Sequence, residues 1–168
     1  YASGGNGSSP HMAMELFKSL AKIDLVHVPY KGTQSVIGIL RGETALLFEN
    51  LISVGAHIKS GQLRVLAVGA SERSSALPEV PTVAESGVPG YNVVLWFGML
   101  APAGTPGTAV TAIHREISNI LKLPDVKARL ATQAADPVGS SPEQFDAFIK
   151  SEIAKWAKVV KENRLKVD

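Results

Sequence analysis

The sequence contains no cysteine. Disulfides and thiolate metal sites are therefore excluded, and the compartment is left open. No apolar run approaches the ~20 residues that a membrane-spanning helix needs. Charge of one sign is nowhere concentrated. Seventeen basic and 15 acidic residues give a formal net charge of +2, and the basic ones are scattered. The basic stripe of a nucleic-acid-binding face is thus missing. His27, His57 and His114 fall on separate elements without metal-ligand spacing, so each reads as an ordinary surface or half-buried residue and no metal is expected. Internal repeats and low-complexity tracts are also missing, as is any cofactor motif. The chain starts at Tyr1, in what reads as the end of a strand, and is expected to continue a longer sequence.

What is present is enough for a real core: 168 residues, 45% of them hydrophobic. That length suits one ordinary domain or two small lobes. The stretch that organises the rest is Ser3-Gly4-Gly5-Asn6-Gly7-Ser8-Ser9-Pro10-His11. Tyr1 and Ala2 read as a strand end, and Met12 to Ala21 as a helix. The glycines allow a sharp turn and close approach to a ligand. Ser9 suits the N-cap and Pro10 the first helical position. Free N–H groups and the positive end of the helix dipole would then face an anion. The phosphate-loop pattern needs Lys followed by Ser or Thr, and Pro10-His11 stands there instead. Gly5-x-Gly7 is present, but Pro10 occupies the place of the third glycine of a dinucleotide fingerprint. A carboxylate fits better, held by a few N–H and O–H donors. The plain alternative is a Gly/Ser connection into a capped helix.

Downstream, short apolar strands alternate with short helices. Strands are expected near 23–28, 45–48 and 63–68. Helices are expected from 33 or 34 to 41 and from 51 to 59. The pattern predicts a parallel sheet covered on both faces. Ser71 to Pro81 reads as a loop and Thr82 to Ser86 as one helical turn. Tyr91 to Leu100 is the longest strand-like run. Beyond it only helices are expected: 108–121, 125–133, and 142–162 capped by Ser140 or Ser141. Phe145, Phe148, Ile149, Ile153, Trp156 and Val160 form one stripe of the last helix. These helices either make a small bundle or cover a sheet formed by residues outside this sequence. The second reading is preferred, with Tyr91 to Leu100 leaving the first lobe to join another.

Five motifs carry a family likeness. They are Gly5-Asn6-Gly7-Ser8-Ser9-Pro10-His11, Val28-Pro29-Tyr30-Lys31-Gly32, Phe48-Glu49-Asn50, the stretch from Leu77 to Gly87, and Trp96-Phe97-Gly98 continuing to Pro106. In this order they resemble the periplasmic receptors of tripartite tricarboxylate transporters, the Bug or TctC-like proteins, over their C-terminal portion. The resemblance implies an α/β, periplasmic-binding-protein-like fold of type II, the two-lobed Venus flytrap. Residues 1–93 would be most of ligand-binding domain two. Residues 94–168 would be a crossover strand and helices returning to domain one, whose N-terminal half is missing. It also implies an extracytoplasmic receptor that captures a small carboxylate and delivers it to the membrane subunits of such a transporter. Catalysis, cofactors and nucleic acid are not implied. A periplasmic location follows, with the signal peptide in the missing region. Glu49 departs from the family, which usually has Asp there.

Loops after parallel strands at a switch point are where open α/β sheets bind ligands. Three such loops are expected to converge, at 3–9, 29–32 and 49–50. The ligand-binding candidates are Asn6, Gly7, Ser8, Ser9, His11, Tyr30, Lys31, Glu49 and Asn50. His11 either donates to the ligand or packs. Lys31 is either a pocket cation or solvated, and Asn50 is a helix cap first. Trp96 and Phe97 either wall the cleft or sit in a core. The fragment is also expected to self-associate through its C-terminal helices. Three rival readings remain open. One is an enzyme using Ser8 or Ser9 with His11, although Gly-x-Ser-x-Gly and an orienting acid are lacking. Another is a cytoplasmic effector-binding regulatory domain of the same bilobal class. The third is a bare α/β module.

Overall fold

The computed structural model describes residues 1–133, 135–163 and 165. Its elements in order are β1 (Ala2–Ser3), α1 (Ser9–Ala21), β2 (Val28–Pro29), α2 (Gln34–Leu40), α3 (Leu51–Lys59), α4 (Gly107–Ile120), α5 (Pro124–Thr132) and α6 (Pro142–Glu162). No helix among the described residues is long and apolar enough to cross a membrane.

β1 is the centre of a small parallel sheet. Ala2 pairs with Val28 and Ser3 with Pro29 on one side, and Ala2 bridges Leu47 in parallel on the other. The Val28 N–H donates to the Tyr1 carbonyl at 2.8 Å, and the Ala2 N–H to the Leu46 carbonyl at 2.9 Å. The expected strands 23–28 and 45–48 therefore do join one parallel sheet, but through far fewer residues than their apolar runs suggest. The expected strand 63–68 is not part of it. Val68 alone bridges Thr82, away from β1. Tyr91 to Leu100 enters no strand; Val93 makes a single backbone bond to the Gly69 carbonyl at 2.8 Å. α1 and α2 both pack on β1.

The helix starts show why these segments wind where they do. α1 begins one residue earlier than the sequence suggests. Ser8, not Ser9, is the N-cap, its extended backbone and hydroxyl receiving the His11 N–H, and Pro10 falls within the first two positions. Pro is tolerated there because those N–H groups have no partner inside the helix. Lys22 ends the helix in the left-handed conformation, φ 54°, and its N–H returns to the Lys18 carbonyl. At α6 the cap is Ser141: Gln144 N–H donates to its hydroxyl at 3.2 Å and the Gln144 side chain accepts from Ser141 N–H at 2.9 Å. This reciprocal pair satisfies two otherwise orphaned donors. Thr82 and Glu85 make the same pair around the turn at 82–86.

The chain divides into two compact units, residues 1–95 with 155–168, and residues 96–154. In the first, Val83, Val88 and Tyr91 form the buried cluster, with Leu16, Phe17, Phe48 and Val93 packed against it. The Tyr91 ring meets Phe48 and Phe17, and its hydroxyl donates to the Ala13 carbonyl at 3.1 Å. Burial pushes that phenol well up from its ordinary value, so it stays a neutral donor. In the second unit no described residue is buried. Trp96 meets Phe145 and Phe148 edge-on, at 5.6 and 5.4 Å between centroids. Phe97, Met99 and Leu100 are exposed to 83%, 67% and 75%. On the apolar stripe of α6, Phe148 and Ile153 are exposed, while Phe145 and Trp156 are half-buried.

Candidate functional site

The register of the sheet brings three connections to one edge. Ala2, Val28 and Leu47 stand side by side in parallel. Two residues further on, Gly4, Tyr30 and Glu49 therefore leave the same end of the sheet. The contacts agree: the Gly32 N–H donates to the Gly4 carbonyl at 3.2 Å, and a Cβ on Gly5 would meet the Tyr30 carbonyl at 3.4 Å. This is the carboxyl edge, where the loops of a parallel sheet converge.

The glycine loop is held by its own atoms. Ser3 Oγ receives the Gly5 N–H at 3.2 Å. The Ser8 N–H and hydroxyl both donate to the Gly5 carbonyl, at 3.2 and 2.7 Å. The Gly7 N–H donates to His11 Nδ1 at 3.0 Å. Gly5 and Gly7 sit at φ 125° and 71°, which a side chain would strain. These bonds leave the N–H groups of Asn6 and Ser9 outside the internal set. Asn6, Gly7 and Ser9 are exposed, Ser8 is half-buried and His11 is buried.

Beneath the loop lies a polar stack. The His11 and His27 rings are 4.1 Å apart and 8° from parallel, and Tyr1 stacks against His27 at 4.8 Å and lies 6.4 Å from His11. His27 Nε2 lies 2.6 Å from Ser3 Oγ. The Tyr1 hydroxyl donates to Glu15, and Lys18 Nζ reaches the same carboxylate oxygen at 2.8 Å. Burial lowers both imidazoles, His27 to about 4 with the neighbouring His11 adding to it, so both rings are neutral at pH 7. Burial also pushes the Glu15 carboxyl up, but the hydrogen bonds from Lys18 and Tyr1 outweigh it and hold the carboxyl below its ordinary range. Because His11 Nδ1 accepts from Gly7, its proton is on Nε2.

The other candidates share the edge but not one orientation. The Tyr30 hydroxyl donates to Glu43 at 2.9 Å, and its ring lies over Gly38 of α2. There it lines a depression of about 280 Å³ with Gln34, Ile37, Gly38, Arg41 and Glu43. Lys31 is exposed. Glu49 folds back, Oε1 accepting the Asn50 N–H at 3.0 Å and the Asn50 side-chain amide at 3.4 Å. Asn50 is the backbone N-cap of α3, but its side chain makes no capping bond. His57 and His114 serve locally, His57 Nδ1 with Gln62 at 2.9 Å and His114 Nε2 with the Ser140 carbonyl at 3.1 Å. Among the described residues no cluster of three or more His, Cys, Asp or Glu could hold a metal. Sequence reasoning set His27 aside as an ordinary surface or half-buried residue, placed Ser3 in the loop without a role, and did not single out Tyr1 or Glu15. The available signal was the two-residue period of β1, which puts Tyr1 and Ser3 on one face.

Comparison with known proteins gives one consistent answer. The model of the tripartite tricarboxylate transporter family receptor matches residues 1–165. Protein BugT of Bordetella pertussis is 39% identical over 96% of this chain and 50% of its own length. A UPF0065 protein in the tcbD-tcbE intergenic region of Pseudomonas sp. (strain P51) is 35% identical over 98% of this chain and 50% of its own length. The chain thus spans about half the length of these curated relatives. Among solved structures, an R. palustris protein with adipate superposes with a TM-score of 0.88 at 34% identity, covering 98% of this chain and 56% of that one. MatC from Rhodopseudomonas palustris with bound malate gives 0.80 at 30%, covering 95% and 55%. The periplasmic binding protein BugD gives 0.81 at 28%, covering 98% and 56%. The α/β fold with a small parallel sheet is that of these solute-binding proteins.

Proposed function

The chain belongs to the tripartite tricarboxylate transporter receptor family, and from that we propose that it forms the carboxylate-holding lobe of a periplasmic receptor. The receptor captures a small carboxylate and delivers it to the membrane subunits of a tripartite tricarboxylate-type transporter. Residues 1–93 are most of ligand-binding domain two, and residues 94–168 return to domain one. The observation that carries the reading is the shared edge: Gly4, Tyr30 and Glu49 leave the sheet together, with the exposed tip Asn6-Gly7 standing before the helix start at Ser9. Relatives solved with adipate and malate support a dicarboxylate or hydroxy-dicarboxylate as the class of ligand. The donors are the N–H groups of Asn6 and Ser9, the Asn6 amide and the Ser9 hydroxyl, aided by the dipole of α1. Lys31 adds positive charge at the rim. Glu49 and Asn50 close the floor, and His11 acts from below the loop.

An enzyme reading finds little support. The Ser8 hydroxyl donates to the Gly5 carbonyl and His11 Nδ1 takes the Gly7 N–H, so the two are not arranged as nucleophile and base. The test is a thermal-shift screen of adipate, malate and other small carboxylates, together with simple esters. A specific ligand raises Tm by mass action, about 2.7 kcal/mol at a hundred times Kd. At least one carboxylate is expected to do so. No shift with any carboxylate, together with steady ester turnover, would overturn the reading.

A further inference from the structure

We infer that His27 is a positioning residue for the glycine loop, supporting from beneath two of the bonds that pin that loop, those to the Gly5 and Gly7 N–H groups. The inference rests on the reading that this loop takes a carboxylate. Glycine has no side chain to hold a conformation, and Gly5 and Gly7 sit at φ 125° and 71°. Something outside them must fix the face that the loop presents. Two bonds do so. Gly5 N–H is held by Ser3 Oγ at 3.2 Å, and Gly7 N–H by His11 Nδ1 at 3.0 Å. Between these two anchors lies only Asn6, the exposed tip.

Both anchors lean on one ring. Ser3 Oγ is 2.6 Å from His27 Nε2, and the His11 ring lies flat on His27 at 4.1 Å. Tyr1 also stacks against His27, at 4.8 Å. The charged and titratable groups around the pair are Glu15 and Lys18 on α1, and Tyr1 with its amino group on the strand side. A neutral His11 can accept from Gly7. An imidazolium carries hydrogen on both nitrogens and cannot. Protonating His11 therefore frees the Gly7 N–H and lets the tip move, and a second charge 4.1 Å away on His27 would add repulsion. Loop order, and with it carboxylate affinity, falls in acid. Histidine is the residue that turns a mild pH change into such a geometric one.

The test is ¹⁵N NMR of the 168-residue chain as wild type, His27→Phe and His27→Gln, with sodium adipate and sodium malate as millimolar probes. Phe keeps a stacking ring but loses the contact with Ser3; Gln keeps a polar group but loses the stack. In wild type, His11 is expected as the Nε2–H tautomer with the Gly7 amide protected from exchange. In His27→Phe, protection at Gly5 falls about tenfold while Gly7 holds; in His27→Gln, protection at Gly7 falls about tenfold. Far-UV circular dichroism stays unchanged in both, and the shifts that the probes induce at Asn6 and Ser9 need about tenfold more probe. As pH falls through the lowered range of His11, the wild-type Gly7 protection falls as well. Unchanged protection at Gly5 and Gly7 in both variants would overturn the inference. Loosened amides in the variants, with no probe shifting the loop in wild type, would support the positioning role and overturn the carboxylate reading instead.

Discussion

Tyr30 lies across α2 because position 38 carries no side chain: a Cβ on Gly38 would stand 2.5 Å from both Cζ and the hydroxyl oxygen of Tyr30. The packing of a candidate ligand residue is thus set by a glycine eight positions away. With its ring there, Tyr30 donates to Glu43, and that hydrogen bond raises its phenol above the ordinary value near 10. Gly38→Ala is expected to displace the ring and return the phenol toward its ordinary value. α2 should persist, since Ala is the better helix former. Titration of the tyrosine ring resonances by NMR checks this, and an undisturbed high value in Gly38→Ala would contradict it.

Ser8 and Ser9 separate cleanly. Ser8 caps α1 and ties the loop to Gly5, whereas Ser9 is exposed within the first turn. Losing a Ser cap typically costs ~1 kcal/mol. Ser8→Ala should therefore lower urea stability by ~1–2 kcal/mol, and Ser9→Ala by no more than ~0.5 kcal/mol. Equal losses, or the reverse order, would put the cap at the wrong serine.

Stability should fall as pH drops from about 6.5 toward 4.5. Half-buried His27 has a folded value of about 4 against an ordinary value of 6.5, because partial burial disfavours its charge. Between those values the unfolded chain binds more protons, so acid favours unfolding. The full linkage is ~3 kcal/mol, and screening of a half-exposed ring reduces it to ~1–2 kcal/mol. Glu15 acts lower: its carboxyl is held down, so its contribution is complete above its unfolded value near 4.5 and is lost only below that. Denaturant midpoints at pH 7, 5.5 and 4.5 should show the histidine window, and His27→Gln should flatten it. A flat wild-type profile over that range would contradict the buried stack.

The second unit predicts association. With Phe97, Met99 and Leu100 largely in solvent and no described residue of 96–154 buried, the chain carries apolar surface in excess of ordinary monomers. Sedimentation at tens of micromolar should show species larger than a monomer. Phe97→Asp with Leu100→Lys should reduce them. A monomer at all concentrations would argue against an interaction surface there.

How much of this was legible beforehand depended on range. α3 was readable to the residue, Leu51–Lys59, because helix bonds join near neighbours. α1 was displaced by one cap because Pro10 is acceptable at either of the first two helical positions. Strands fared worse, since an apolar run becomes a strand only where a neighbour pairs with it. Val28 and Leu47 have β1 beside them, but the runs at 63–67 and 91–100 pair with almost nothing. At the candidate site the loop itself was visible in its glycines. The His11–His27 stack was not, because it joins residues on two elements and no local pattern announces it.

The central claim is that a ligand carboxylate sits over the tip of the glycine loop. It is tested most directly by calorimetry of Gly7→Asp and Gly7→Asn in the two-lobed receptor proposed above, with adipate and malate as ligands. Both substitutions strain the same backbone position, φ 71°, and only Asp adds negative charge. Charge-assisted hydrogen bonds shielded from water are worth roughly 1.5–3 kcal/mol each. The Asp variant should therefore bind at least about tenfold more weakly than the Asn variant, since ~1.4 kcal/mol is tenfold. Equal affinity of the Asp variant, the Asn variant and wild type, with folding intact by circular dichroism, would place the carboxylate elsewhere.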